Sequence, residues 1–261
     1  MKKNKKQKIL DYIFWTVAIL TWVAVSIIAA QLIIGNLMVL ILGKENFSNP
    51  VSTAVFSALS YIIAMILIIF VPPVLKNCWK NDKKDKKIPK NLVSCGEIGL
   101  KGWPTWTDIG LAPVGYLAYL ILGMVATSIF SIFPWFDAGQ AQDVGFNTYI
   151  VGIDRIVAFL TLVVVAPIAE EIIFRGWLYG KLREKFSTAT TNTASIIISA
   201  LLVSILFGFI HLQWNVGVNV FALSLVLCAL REITGTIYAG ILLHMLKNGI
   251  AFYLLYIIGI R

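Results

Sequence analysis

The run Ile156–Ala169, IVAFLTLVVVAPIA, leads straight into Glu170-Glu171-Ile172-Ile173-Phe174-Arg175. The chain then stays largely apolar through Gly176-Trp177-Leu178-Tyr179-Gly180 until the cluster Arg183-Glu184-Lys185. A helix from Asp154 to Phe186 exceeds the ~20 residues that cross a bilayer. It places Glu170 near its middle, about 24 Å from the polar end at 1.5 Å per residue. One acid at the centre of such a helix costs roughly 2.5–3.5 kcal/mol on an insertion scale. Two adjacent acids there are either paired or used.

Composition extends this reading to the whole chain. Of 261 residues, 59% are hydrophobic and 13% charged, with a mean hydropathy of +0.84. A soluble domain of this size cannot hide so much apolar side chain. The long runs predict an all-α, polytopic transmembrane helical bundle of about seven or eight helices. The predicted spans are roughly 10–42, 51–75, 107–133, 154–186, 193–212, 216–230 and 233–260. A β-barrel is not expected, since barrel strands alternate polar and apolar residues and these runs do not.

The net charge of +9 is unevenly placed. Lys2, Lys3, Lys5, Lys6 and Lys8 open the chain. Lys76, Lys80, Lys83, Lys84, Lys86, Lys87, Lys90 and Lys101 fill one loop, and Arg175, Lys181, Arg183 and Lys185 follow the Glu pair. The stretch 134–150 holds Asp137 and Asp143 and no Lys or Arg. This asymmetry predicts a cytoplasmic N-terminus. It also explains the lysine-rich loop without nucleic acid, which is not expected as a partner. The apolar stretch Ile13–Leu42 is too long for a signal-peptide core and reads as a retained helix. Cys78, Cys95 and Cys228 have neither disulfide nor metal-site spacing. Trp103, Trp106, Trp135, Trp177 and Trp214 read as interfacial anchors. Gly235, Gly240 and Gly249 read as points of close helix packing.

The chain has two histidines. On the predicted spans His211 lies about 28 Å from its helix start, His244 about 17 Å and Asn248 about 23 Å. These groups therefore reach depths similar to Glu170. His244 and Asn248 stand at i and i+4 and share a face, as do Glu171 and Arg175, a spacing suited to an ion pair. Glu170 points about 100° away from Glu171. The pattern suggests one carboxylate held by Arg175 and one facing a cavity, where it serves as a general base or acid.

Glu170-Glu171-x-x-x-Arg175, Phe207-x-x-x-His211 and His244-x-x-x-Asn248 together resemble the three motifs of the CPBP family. That family includes type II CAAX prenyl endopeptidases, bacteriocin-processing and self-immunity proteins, and abortive-infection proteins. The resemblance covers roughly 95–260. It implies an N-terminal part, 1–94, of membrane helices and basic loop, and an intramembrane protease core, 95–261. It further implies that Glu170 and His211 activate water, His244 and Asn248 stabilise an oxyanion, and Glu171 and Arg175 support them. The first 94 residues are expected to shape substrate access.

The residues leave the cofactor open. Glu170, His211 and His244 would make a Zn site with a free position, but no His-Glu-x-x-His motif is present. The favoured reading requires no cofactor, since a base, an orienting histidine and oxyanion donors suffice. The expected partner is a membrane-associated peptide or protein of CAAX, bacteriocin or pheromone type, in a bacterial cell membrane. Two other readings compete. A non-catalytic immunity or scaffold protein should show damaged motifs, whereas these are intact. A transporter should show inverted repeats or broken helices in matching halves, and none stands out.

Overall fold

A computed structural model describes residues 5–47, 49–78, 94–140, 146 and 150–259, the side chains of Lys5 and 75–78 excepted. The basic-loop lysines from Lys80 to Lys90, Lys2, Lys3 and Asp143 lie outside the described residues. Among the described residues, seven helices are long and apolar enough to span a membrane: α1 (Lys6–Leu42), α2 (Pro50–Val74), α3 (Trp106–Phe130), α4 (Gly152–Ser187), α5 (Asn192–Phe209), α6 (Trp214–Thr234) and α7 (Tyr238–Ile258). Every regular element among the described residues is helical, and these seven apolar helices fit an integral membrane protein. Its outer surface bears exposed Ile28, Leu32, Leu40, Leu117, Ile121 and Ile205, apolar residues suited to lipid contact.

Local sequence explains the helix starts. Asn49 Oδ1 accepts the Ser52 N–H, with Pro50 at the first position. Thr105 and Asp108 form a reciprocal capping box, and Thr191 caps α5. Each satisfies N–H groups that the first turn leaves unpaired. Helix α6 is the most enclosed and packs against α3, α5 and α7. Helix α4 is the next most enclosed. It is contacted by α2, α5, α6 and α7, which brings four helices to the Glu pair and the turns beside it.

Two boundaries and two residue roles differ from the sequence reading. Ile233 belongs to α6, which runs to Thr234 and ends at Gly235. Gly235 has φ +69° and donates its N–H to Arg231 O, so it is a helix stop rather than a packing site. Glycine adopts this left-handed conformation without the Cβ penalty of other residues. Helix α7 accordingly begins at Tyr238, five residues later than the periodicity suggests. His244 is therefore only about 9 Å along its helix, so the ends of α4 and α7 are not level. Trp177 is buried among Phe174, Phe207 and Leu178, not placed in an interfacial belt.

Helix α4 is not a uniform α-helix. Wider π-type turns occupy Leu160–Val165 and Ile172–Leu178, on either side of the α-helical turn Ala166–Glu171. Such turns shift the backbone hydrogen-bond register and often mark functional sites. Here the Ala166 N–H bonds to Thr161 O instead of Leu162 O. Pro167, the next residue along, has no N–H to offer. Both helical donors to the Leu162 carbonyl are thus absent. In a membrane such a group needs a partner from elsewhere.

Candidate active site

Asn248 on α7 supplies that partner, its Nδ2 donating to Leu162 O at 2.9 Å. One amide N–H of Asn248 is therefore committed to holding α7 on α4. This is the interhelical role that an amide in a membrane helix commonly fills.

Four residues lower on α7, His244 meets the Glu pair. Its Nδ1 lies 3.0 Å from Glu171 Oε1, and its Nε2 lies 3.8 Å from Glu170 Oε2. Ionised Glu171 can only accept, so His244 Nδ1 carries the proton in that bond. The same Glu171 Oε1 accepts from Arg175 Nη1 at 3.0 Å. Glu171 is 0% exposed and Arg175 1%. Two ions removed this far from water persist only with their charges paired. Gly240 makes room for the arrangement, since a Cβ there would stand 3.2 Å from Glu171 Oε2.

Glu170 is only partly buried and makes different contacts. Its Oε1 accepts from the Tyr61 hydroxyl on α2 at 2.5 Å, while Oε2 faces His244. The adjacent acids thus occupy separate environments. Glu171 is locked between Arg175 and His244, and Glu170 keeps an oxygen available beside the imidazole.

His211 stands two residues past the end of α5, in a turn followed by Leu212 at φ +58°. Its Nδ1 lies 2.7 Å from Phe207 O. A carbonyl cannot donate, so Nδ1 carries hydrogen and Nε2 is the nitrogen left for chemistry. Glu170, His244 and Lys247 all lie within electrostatic reach of His211. Lys247 likewise lies within electrostatic reach of Glu170.

The Phe207 ring joins these parts. It stands 5.0 Å from His211 and 6.1 Å from His244, ring centre to ring centre. The Arg175 guanidinium lies 4.4 Å over the same ring. A cation over an aromatic face is attracted by the ring quadrupole, here within an apolar setting.

Among the described residues no group of three His, Cys, Asp or Glu side chains is placed to hold one ion, Glu170, His211 and His244 included. Of the residues in the site, Tyr61 was not singled out from sequence. A tyrosine in an apolar run looks the same whether it meets lipid, core or a carboxylate.

Residues 152–250 match the family model described as type II CAAX prenyl endopeptidase, Rce1-like. The match is narrower than the 95–260 suggested by the motifs, but it contains Glu170, Glu171, Arg175, His211, His244 and Asn248. Tyr61 lies outside it. No curated protein and no solved structure matches the chain.

Proposed function

We propose that this chain, whose residues 152–250 belong to the Rce1-like, CPBP family, is an intramembrane endopeptidase that hydrolyses a peptide bond of a membrane-associated substrate. The observation that carries this reading is the pairing of one histidine with two unlike carboxylates, His244 at 3.0 Å from Glu171 and 3.8 Å from Glu170. A fixed acid and a free acid beside the same imidazole suit a site that must hold its geometry while moving protons.

In this reading Glu170 Oε2 takes a proton from water, and His211 Nε2 accepts the second water hydrogen bond and orients the lone pair. The hydroxyl adds to the scissile carbonyl carbon, whose oxygen becomes the oxyanion. The protonated Nε2–H of His244 and the second amide hydrogen of Asn248 donate to that oxygen, with Lys247 adding positive potential. Glu170 then returns its proton to the leaving nitrogen, the C–N bond breaks, and a carboxylic acid and an amine result, the acid then giving its remaining hydroxyl proton to solvent water. Glu171 and Arg175 stay paired throughout and keep His244 in register. Positioned donors of this kind act most strongly where water is scarce. No step needs a metal.

A peptide arriving in the plane of the bilayer is the substrate class. A bacteriocin or pheromone precursor fits this class, as does a C-terminal CAAX-type segment. The basic N-terminal segment supports a cytoplasmic N-terminus in a bacterial membrane. The test is purified full-length protein in detergent with a quenched membrane-peptide library, comparing wild type, Glu170→Ala and His211→Ala. Cleavage by wild type alone is expected; equal turnover in all three overturns the assignment. Metal content and chelator sensitivity of the same sample address the cofactor, with full activity in chelator expected.

A further inference from the structure

The Tyr61 hydroxyl donates to Glu170 Oε1 across 109 residues of chain at 2.5 Å. Tyr61 lies on α2, outside the matched stretch, and among the described residues it is the side chain that donates a hydrogen bond to the Glu170 carboxylate. The rest of its surroundings are charged or titratable. Helix α7 contributes His244 and Lys247, the turn after α5 contributes His211, and α4 itself contributes Glu171 and Arg175. Among these, Tyr61 is the neutral donor that fixes one carboxylate oxygen without supplying a charge.

We infer that Tyr61 is a positioning residue for Glu170: its hydroxyl anchors Oε1 so that Oε2 is presented to His244 and to the reacting water. The inference rests on the proposed role of Glu170 as base. Its consequence is that the matched core is completed by α2, a helix from the N-terminal part of the chain. A carboxylate with both oxygens free can rotate about its terminal torsion, which is broad and roughly two-fold. The Tyr61 bond removes that freedom and is charge-assisted, hence short. A donor on the ionised form also favours that form over the protonated acid.

The test compares full-length wild type, Tyr61→Phe and Glu170→Gln in one detergent. Phenylalanine keeps the ring and removes only the donor. Tyr61→Phe is expected to lower kcat by about tenfold with KM unchanged. The acid limb of its pH–rate profile should move to higher pH. An infrared titration reads the same change without turnover: the Glu170 carboxyl band, identified by its loss in Glu170→Gln, should appear at higher pH in Tyr61→Phe. An unmoved limb or band in Tyr61→Phe, with Glu170→Gln inactive, overturns the role of Tyr61 and leaves the proposed function standing. A Glu170→Gln protein as active as wild type removes the proposed function itself.

Discussion

His244 bonds through Nδ1 to Glu171 on α4, whose other partner at the same oxygen is Arg175, one turn away. The three residues form a single buried unit linking α4 to α7. Its stability role is separable from chemistry because Glu171 and Arg175 are almost fully enclosed, whereas Glu170 is not.

Arg175→Ala should therefore damage the fold before it damages catalysis. It leaves Glu171 buried without its cation and empties the space over Phe207. Loss of one partner from a buried pair typically costs about 3–5 kcal/mol. Thermal unfolding in detergent should show a marked drop. Arg175→Lys should recover only part of it, since an ammonium lacks the planar face that lies over the ring. A wild-type melting temperature for Arg175→Ala would contradict the pairing.

Asn248 and Pro167 should be energetically coupled. Asn248→Ala strips the Leu162 carbonyl of its donor and should cost about 1–2 kcal/mol. Pro167→Ala restores a backbone N–H at the next available position. In that background, Asn248→Ala should cost clearly less. A double-mutant cycle on unfolding in detergent measures the difference, and strict additivity would mean that the proline does not create the need.

Gly176→Ala should dislodge the segment before α3. A Cβ at 176 would lie 2.8 Å from the Ile98 carbonyl oxygen, a backbone atom unable to swing aside. Overpacking of this kind costs about 1–3 kcal/mol. Limited proteolysis should then cut within 94–100 faster than in wild type. Gly110→Ala is the control, because nothing stands within 4 Å of its added Cβ. Helix propensity alone should make that change neutral or mildly stabilising.

These sites also mark what the sequence could convey. The length of α4 was legible because Gly176–Gly180 stays apolar beyond Arg175, and that placed Glu170 at mid-helix. The Glu171–Arg175 pair followed from i, i+4 spacing. The orientation of His244 and Asn248 towards one neighbour followed from the same rule, yet their partners did not. A main-chain carbonyl such as Leu162 O leaves no residue-type signal. Tyr61 was invisible for a related reason, since its contact spans distant helices and its residue type is common in membrane segments. Trp177 was misplaced because composition cannot tell an interfacial ring from a buried one. The start of α7 was misplaced because Ile233 continues the apolar pattern, and only the conformation of Gly235 ends α6.

The central claim is that Glu170 is the base and Glu171 the brace. The most direct measurement is the single-turnover cleavage rate of one defined substrate by wild type, Glu170→Gln and Glu171→Gln, with each protein's melting temperature recorded. The account predicts that Glu170→Gln melts like wild type and loses about 10²–10⁴-fold in rate, while Glu171→Gln melts markedly lower. A folded Glu170→Gln protein that cleaves at the wild-type rate would contradict it.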